Sequence, residues 1–453
     1  MAQEKLPAGQ ADLDGLIDSS PVGSFHRVVI GLCALMVMID GFDTQVIGMV
    51  APAIAASWQV TPASFGAVFG IGLFGGLIGV LALGTASDRL GRKPVLVAAI
   101  ALFAGISLLT PLTTSLGGLI AVRFVAGLGM GGALPGLIAT TSEYLPKAVR
   151  TNVTALMYCG FPLGSVLAGV VAAQMLPRFG WPSVFYVGSI IPLALLPWFA
   201  WQVPESVHFL AVRGERERVE RILARLKSSI RWNGRLAHLP DARRSPVAGL
   251  FAQGRAPVTA LLWITLFLSL LLTVFLASWL PLVAHTAGID INSSVLAVSA
   301  LNIGGVIGCY FIGRLGTRYG PVRPIAVGYG LGSIGVALIG HVGHSGGALL
   351  AAAFVAGTLA VGAQMCAIGL AASFYDASLR ATGVGWSLGA GRLGAVAGPA
   401  LGGMLIAAGL STQALFLVAG LVSLGAALAV LSIGAAVRRV VSDVLVAPAP
   451  SSR

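Results

Sequence analysis

Two carboxylates stand close together inside an apolar run near the start of the chain. The stretch VMIDGFDTQVIG places Asp40 and Asp43 three residues apart among Leu, Ile, Val, Met and Gly. On a helix, this spacing brings the two side chains to within about 60° of one face. Ionised carboxylates so placed repel, and burial also favours the neutral acid. We therefore expect at least one of them to carry a proton for part of a working cycle, with Asp43, which lies further into the run, as the preferred carrier.

Two arginines also lie within apolar sequence. If these runs cross a membrane, a buried cation costs about 2.5–3.5 kcal/mol, so Arg123 should face an aqueous cavity or a carboxylate. Arg392 follows Arg380 by twelve residues, which is about 18 Å of helix and places it near mid-membrane. Its planar guanidinium matches a carboxylate, so we predict that Arg392 binds an organic anion. The alternatives are structural ion pairs between these arginines and buried acids, or an Arg123 side chain that reaches the membrane surface.

The composition identifies the elements that must carry these residues. Of 453 residues, 57% are hydrophobic and only 10% are charged, and the mean hydropathy is +0.91. Soluble domains carry about 25% charged residues, so we predict an integral membrane protein. The apolar runs are continuous and about 20 residues long, as spanning helices require. Strands of a membrane barrel alternate polar and apolar residues instead, so the predicted fold class is all-α.

Charged and turn residues divide the apolar sequence into twelve predicted spans. Their limits are 27–51, 63–86, 94–113, 116–141, 152–176, 182–202, 258–284, 293–314, 322–341, 347–374, 381–409 and 413–437. The predicted domains are a cytoplasmic tail (1–26), a six-helix half (27–202), a cytoplasmic central loop (203–257), a second six-helix half (258–437) and a cytoplasmic C-terminal tail (438–453). Apolar residues at helical spacing predict a short amphipathic helix in the loop: Val219, Ile222, Leu223 and Leu226. It would lie on the membrane surface or form a solvated linker.

The basic residues follow membrane topology. With the N-terminus inside, 25 of the 28 Lys and Arg residues fall in cytoplasmic segments or at the cytoplasmic ends of spans, Arg123 and Arg392 fall deeper within spans, and only Arg178 is external. This asymmetry satisfies the positive-inside rule, so the net charge of +12 needs no nucleic-acid partner. Both termini are predicted to be cytoplasmic. The acidic N-terminal segment lacks the basic and apolar regions of a cleavable signal peptide.

Internal repeats divide the twelve spans into two halves. The segments GTASDRLGRK and GRLGTRYGPV share Gly, Arg and Gly at an offset of 229 residues, and Arg150 corresponds to Arg380 at an offset of 230. Each segment of a pair occupies the same place in its half. Parallel halves with a binding site at their interface are a transporter architecture.

The loop after the second predicted span carries a specific motif, G-x-x-x-D-R-x-G-R-K over Gly84–Lys93. Asp88 stands at a helix end, where it can meet a helix N-terminus or an arginine. In this motif the sequence resembles the major facilitator superfamily, which implies the two-half, twelve-helix fold of that superfamily. We predict a cytoplasmic latch between the halves, although Thr317 replaces the acid in the second copy; a generic basic turn is the alternative. The predicted latch residues are Gly84, Asp88, Arg89, Gly91, Arg92, Arg150, Arg318 and Arg380.

Further motifs point to proton handling. The segment RFVAGLGMGG, which begins at Arg123, is similar to a superfamily pattern linked to proton coupling. Glu143 ends the same span and could pair with Arg150 or with an arginine of the loop after the second span. It would act as a gate or as a plain interfacial carboxylate. We group Asp40, Asp43, Arg123 and Glu143 as predicted proton-coupling residues.

A finer resemblance covers essentially the whole membrane portion. The segments DGFDTQVIG, PESVHFL, SWLP, GAQ and RATGVGWSLGAGRLGAVAGP together resemble the aromatic acid:proton symporter family, which includes permeases for 4-hydroxybenzoate, benzoate and hydroxyphenylpropionate. The resemblance implies proton-coupled uptake of an aromatic carboxylate across a bacterial-type inner membrane. It also ties Asp40, Asp43, Arg380 and Arg392 to transport.

A benzoate-like ligand needs one cation, a few polar groups and apolar walls. The predicted binding residues are Arg392, Gln364, Asn302, Trp279, Tyr158 and Phe42. The expected partners are the aromatic acid, a proton and the lipid bilayer, and we expect a functional monomer. The proton gradient supplies energy; no cofactor or metal is expected, because the sequence has neither a P-loop nor metal-ligand spacing of its cysteines. The alternatives are a superfamily carrier of another organic anion or small solute, such as a dicarboxylate, sugar or drug, and a receptor or enzyme, for which we find no catalytic set.

Glycine-rich segments have a mechanical interpretation. GIGLFG and GLGMGG match G-x-G-x-x-G but lie within apolar helices, so we reject a dinucleotide site. Their glycines are predicted to allow close helix contact. GAVAGPALGG matches an antiporter pattern of the fifth span but lies in the eleventh, which disfavours drug antiport. Pro399 within it permits a kink.

Overall fold

The computed structural model describes residues 10–11, 13–226, 231–232, 247–252, 254–343, 345–375 and 377–446. This part of the chain is helical apart from turns and one parallel pair of two-residue strands, β1 (Gln10–Ala11) and β2 (Arg231–Trp232). The helices are α1 (Leu13–Ser19), α2 (Ser24–Trp58), α3 (Phe65–Leu90), α4 (Arg92–Ser107), α5 (Leu116–Glu143), α6 (Lys147–Tyr158), α7 (Gly160–Phe179), α8 (Trp181–Gln202), α9 (Val207–Val212), α10 (Arg216–Arg225), α11 (Ala256–Thr286), α12 (Ile291–Tyr319), α13 (Val322–Ile339), α14 (Gly346–Ala356), α15 (Gly362–Phe374), α16 (Ala377–Ala407) and α17 (Thr412–Val446). Short 3-10 turns lie at Pro62–Ser64, Thr110–Leu112 and Val247–Leu250.

Within the described residues, twelve helical segments are long and apolar enough to cross a membrane. They correspond to the twelve predicted spans, so the all-α membrane fold is confirmed. Several helices extend past the predicted apolar runs: the first is predicted over 27–51 and is observed over Ser24–Trp58. In these helices backbone hydrogen bonding continues where the side chains become polar, so the hydrophobic run underestimates the helix that contains it. By contrast, α4 ends at Ser107 and α13 at Ile339, before the predicted limits of 113 and 341.

Capping side chains fix several helix starts. The hydroxyl of Ser115 accepts a hydrogen bond from an amide in the first turn of α5, and Ser345 does the same for α14. At α12, the Asp290 carboxylate accepts from the Ser293 amide at 2.8 Å. This bond stabilises the ionised carboxylate and lowers the pKa of Asp290.

One span contains an irregularity that the sequence did not predict. Between α14 and α15, the residues Gly357–Val361 form a π-helical turn. Turns of this kind widen a helix locally and are frequent at functional sites. The predicted binding residue Gln364 follows it by less than one turn of helix.

Packing groups the chain into two compact units. Unit 1 comprises Met1–Thr44, Ile71–Ser165 and Phe179–Ala242, and unit 2 comprises Gln45–Gly70, Val166–Arg178 and Arg243–Arg453. An apolar cluster from α2, α4, α5 and α8 forms the main core of unit 1. In unit 2, the corresponding cluster comes chiefly from α11, α13, α15 and α17. The predicted boundaries of the repeated halves stay predictions.

The N-terminal segment and the central loop pack together in unit 1. Leu16 and Ile17 of α1 are buried in one apolar cluster with Val219, Ile222 and Leu223 of α10. The predicted amphipathic helix therefore exists, and its apolar face is covered by protein. The hypotheses that it lies on the membrane surface or forms a solvated linker are corrected accordingly.

Candidate functional site

A buried ion pair joins α2 and α5 in unit 1. Arg123 Nη2 lies 3.0 Å from Asp43 Oδ2 and also donates to the Asp43 backbone carbonyl at 3.3 Å. The two side chains are only 5% and 1% exposed, respectively. Removing either partner would leave an uncompensated buried charge, at a cost of about 3–5 kcal/mol. The expectation that Arg123 faces a carboxylate is thus confirmed, and the carboxylate is that of Asp43.

The Arg123 guanidinium has donor capacity beyond this pair. Its Nη1 atom is buried and has no hydrogen-bond partner among the described residues. Its Cζ atom lies 5.8 Å from the centroid of the Phe185 ring of α8, a cation–π arrangement. The fixed fork of an arginine can serve a second acceptor while one nitrogen stays on Asp43. The site therefore has one engaged and one available donor nitrogen, held against an aromatic ring.

Asp40 is the second buried acid of the site. It is 4% exposed and lies within one helical turn of Asp43, which is 1% exposed. Both acids are therefore buried, as the motif predicted, and Asp43 is the one that pairs with Arg123. The alternative of an ion pair is realised at Asp43 in this structure, while proton transfer by either acid stays a prediction.

Close helix contacts hold the two acids in place. A methyl group on Gly41 would overlap the Phe161 backbone carbonyl of α7, and one on Gly164 would overlap the Met38 carbonyl of α2. Only glycine allows backbones to approach so closely. The space beside Gly41 is thus filled by a neighbouring helix.

The arginine of the pair is positioned in the same way. A methyl group on Gly127 of α5 would overlap the Gly72 carbonyl of α3, and one on Gly131 would overlap the Gly76 carbonyl. Gly72 belongs to GIGLFG, and Gly127 and Gly131 belong to GLGMGG. Their predicted role in close helix contact is confirmed, and the contact fixes the position of α5, which carries Arg123, against α3.

A second charged cluster surrounds Glu143 at the end of α5. Glu143 Oε2 lies 2.5 Å from Arg92 Nη1, and Glu143 Oε1 accepts from the Ser206 hydroxyl at 2.7 Å and from the His208 backbone amide at 3.1 Å. The Glu143 side chain is 4% exposed. Of the two predicted partners, the arginine of the loop after the second span is the correct one. Arg150 instead donates to the Leu145 carbonyl.

Glu205 is a residue of this cluster that the sequence reasoning missed. Its Oε1 atom accepts from the backbone amides of Arg92 and Lys93 at 2.8 and 3.1 Å, so it caps the N-terminus of α4. Gly91 precedes α4 with φ of 101°, and a side chain there would overlap the Glu205 carboxylate. The signal was present as PESVHFL, a polar motif directly after the sixth span, but nothing in that motif names its distant partner.

Tyr144 connects this cluster to the N-terminal segment. Its hydroxyl donates to the Glu205 backbone carbonyl at 2.5 Å, and its own carbonyl lies 3.0 Å from His26 Nε2. Burial, followed by the Glu143 and Glu205 carboxylates, raises the pKa of Tyr144 well above its usual range. The phenol therefore stays a neutral donor, and the segment around His26 is fixed to the end of α5.

Three predicted binding residues of unit 2 are buried or partly buried. Gln364 is 7% exposed and Asn302 is 8% exposed, and the Asn302 amide donates to the Val298 carbonyl at 2.9 Å. Arg392 is partly exposed in the middle of α16. Their role in binding stays a prediction.

Trp279 has a well-defined environment within the fold. It is fully buried, its indole Nε1 donates to the Pro399 carbonyl at 3.1 Å, and the Phe69 ring packs edge-on against it. A methyl group on Gly402 of α16 would also overlap the indole. These contacts give Trp279 a packing role between α11 and α16, whatever its part in binding.

The remaining predicted residues are distributed over both units. Phe42 is buried against Gly188 of α8, and Tyr158 is 38% exposed and stacks on Phe161. Asp88, Gly84 and Arg89 are exposed near the end of α3, and Arg318 lies over the Tyr319 ring at the end of α12. The side chain of Arg380 lies outside the described residues. In the described part of the chain, no group of three His, Cys, Asp or Glu side chains is placed to hold a metal ion.

Comparison with known proteins supplies the family. The Major Facilitator Superfamily profile matches residues 33–386, most of the chain. The chain belongs to the major facilitator superfamily. It is therefore a membrane transporter and not an enzyme, as the motif analysis predicted.

Relatives with similar sequences are transporters of aromatic acids. The chain is 34% identical to the gallate transporter of Pseudomonas putida, over 93% of this chain and 95% of that one. It is also 34% identical to the 4-hydroxybenzoate transporter of Pseudomonas aeruginosa, over 90% and 93% of the two chains. Among solved structures, the xylose transporter of Escherichia coli in a partially occluded inward-open conformation matches with a TM-score of 0.70 at 18% identity, over 90% of this chain and 97% of that one. The last comparison confirms the fold alone.

Proposed function

We propose that this chain takes up a hydroxybenzoate-like aromatic carboxylate together with a proton, by alternating access across the inner membrane. Gallate and 4-hydroxybenzoate, named for the two relatives, share one carboxylate and a phenolic ring. The observation that carries the proposal for this chain is the buried Asp43–Arg123 pair in a membrane-spanning part of the fold. The proposed orientation has both termini in the cytoplasm.

The ion pair supports coupling through its charge balance. When Asp43 is ionised, its charge and that of Arg123 cancel. When Asp43 takes up a proton, the Arg123 cation loses its counter-charge in a site that is almost closed to solvent. An anionic ligand would then restore the balance, because the guanidinium offers the donor geometry that a carboxylate needs. Proton and carboxylate would therefore be favoured together, which is the thermodynamic requirement for symport.

The Glu143 cluster supports a gate in the same proposal. Glu143 holds Arg92, Ser206 and the His208 amide, so it ties the loop after the second span to the segment after the sixth. These bonds lie at the helix ends that we propose to be cytoplasmic. If the transporter opens at this end, these hydrogen bonds must break and be replaced by others. Charge-assisted hydrogen bonds can change partners in this way more readily than closely packed apolar side chains can.

Uptake by cells tests the proposal. Cells that express the chain should accumulate radiolabelled 4-hydroxybenzoate or gallate, and a protonophore should abolish accumulation. Unlabelled benzoates should compete, whereas succinate and xylose should not. If no aromatic acid is taken up, the substrate class is wrong; if a protonophore has no effect, proton symport is wrong. Competition by succinate alone would support a dicarboxylate carrier instead.

A further inference from the structure

A basic cavity in unit 1 takes no part in the proposed transport site. It has a volume of about 570 Å³ and lies between the start of α4 and the helices α9 and α10. Five cationic side chains and two carboxylates contribute to its wall. The charged lining residues are Lys93, Arg213, Arg218, Arg221, Arg225, Glu205 and Glu215.

Helix α10 aims three of these arginines in one direction. Arg218, Arg221 and Arg225 follow the spacing i, i+3 and i+7, which places them on one face of the helix. The packed face carries Val219 and Leu223, which are buried in one apolar cluster with residues of α1 and α9. Because the other face is fixed by this packing, the arginines are held towards the cavity.

The carboxylates of the cavity are already engaged. Glu205 Oε1 accepts three backbone amides, from Arg92, Lys93 and Ser206. Glu215 pairs with Arg218 at 2.8 Å. Arg221 donates to the Glu217 backbone carbonyl at 3.4 Å, which is a long bond to a neutral acceptor. The cavity therefore has an excess of cationic donors over anionic acceptors, and it is complementary to an anion with several oxygens.

The apolar surroundings distinguish a lipid from a soluble anion. The cavity borders the last residue of α3, Leu90, which is 65% exposed, and the first turn of α4. A second cavity of about 270 Å³ shares Arg225; its other lining residues are the apolar Phe25, Val28 and Val29 and the polar Ser24 and Gln202. Three apolar side chains thus lie next to the arginine that the two cavities share, beside the ends of membrane-spanning helices. This juxtaposition fits an amphipathic anion.

We propose that the basic cavity binds the phosphate of an anionic phospholipid headgroup, with an acyl chain along Phe25, Val28 and Val29 of the second cavity. Basic pockets at the cytoplasmic ends of spanning helices recognise such headgroups. The bound lipid would bridge α10 to α4, and so hold the central loop against the membrane end of unit 1.

Lipid retention measured by native mass spectrometry tests this proposal. The purified full-length chain in detergent should retain phosphatidylglycerol over phosphatidylcholine with the same acyl chains. Arg221→Gln should weaken retention about 5-fold, and the double variant Arg218→Gln/Arg221→Gln about 25-fold. Arg216→Gln is the matched control, because Arg216 lies on the same helix, pairs with Glu220 and does not line the cavity. It should retain lipid as the unchanged chain does.

Three outcomes would overturn the proposal. Equal retention of the two lipids would show that the chain has no preference for an anionic headgroup. Equal retention by the Arg221→Gln variant and the unchanged chain would show that the lipid does not bind at this cavity. Displacement of phosphatidylglycerol by equimolar inorganic phosphate would assign the cavity to a soluble phosphate. If the double variant elutes as an aggregate, Arg221→Gln alone decides, since the Arg221 side chain in the open cavity is exposed and its bond is to a backbone carbonyl.

Discussion

At the scale of single residues, the chemistry of this chain lies in charges placed where charges are costly. Asp43 and Arg123 neutralise each other in a nearly closed site, and Glu143 is held by four donors from three residues. Both arrangements combine a carboxylate with an arginine, the pairing that offers the best hydrogen-bond geometry. Each carboxylate–arginine pair is therefore stable while both members are charged, and the loss of charge on one member costs free energy.

A glycine substitution tests the Glu143 cluster at this scale. Gly91→Ala should lower the stability by at least about 1–2 kcal/mol, because φ of 101° is strained for a residue with a side chain and because the methyl group displaces Glu205. Gly84→Ala is the control. Gly84 belongs to the same motif as Gly91 but lies within α3, and a methyl group there meets no atom within 4 Å. It should be neutral or stabilise by about 0.5–1 kcal/mol. Thermal unfolding in detergent measures both, and equal shifts would contradict this account of Gly91.

At the scale of helices, glycines determine which faces meet. α2 contacts α7 through Gly41 and Gly164, and α5 contacts α3 through Gly127 and Gly131. The acids of α2 and the arginine of α5 stand on helices whose approach is set in this way. In lipid, where helices gain little from hydrophobic burial, close backbone contact contributes much of the packing energy.

Substitution of Gly41 tests this positioning. Gly41→Ala forces α2 and α7 apart, and overpacking of this kind costs about 1–3 kcal/mol. Because Gly41 lies between the two acids, uptake should fall as well as stability. Gly31→Ala on the same helix is matched to it, since a methyl group at Gly31 meets no atom within 4 Å. Uptake and melting temperature, measured for both variants, should drop only for Gly41→Ala; the same effect from both would show that helix contact is not the cause.

The membrane-spanning helices could be predicted from the sequence, whereas their packing partners and irregularities could not. Apolar runs predicted all twelve spans, because the bilayer imposes length and composition on each of them. The amphipathic pattern of α10 predicted a helix, but it did not predict which elements cover the apolar face of that helix. That cover comes from α9, which is close in the chain, and from α1, which lies about 200 residues earlier. Periodicity within one helix says nothing about its distant partner. The π turn at Gly357–Val361 also has no pattern of its own.

The same limit applies to the site. The sequence identified Asp40, Asp43, Arg123 and Glu143, because charges within apolar runs are rare and therefore conspicuous. It did not identify Glu205, which caps α4 from a polar loop where a carboxylate is ordinary. Nor did it identify Phe185, whose ring lies against Arg123, since an aromatic residue in an apolar helix carries no signal.

At the scale of the whole molecule, composition, charge asymmetry and family agree. A chain with 57% hydrophobic residues, a major facilitator profile over 33–386 and, within its described residues, twelve helices able to span a membrane is a membrane transporter. Within that superfamily, its relatives include transporters of gallate and 4-hydroxybenzoate, and its α2 holds two buried acids. The proposed function links proton uptake to carboxylate uptake through Asp43.

Transport by Asp43→Asn in proteoliposomes is the most direct test of that link. The asparagine keeps the shape but cannot exchange a proton with the site. Accumulation of 4-hydroxybenzoate driven by an inward proton gradient should fall at least about tenfold, whereas exchange of labelled for unlabelled substrate at equal pH should continue. Asp290→Asn is the control, because asparagine caps a helix as well as aspartate does. Gradient-driven accumulation by Asp43→Asn at the rate of the unchanged chain would contradict the account.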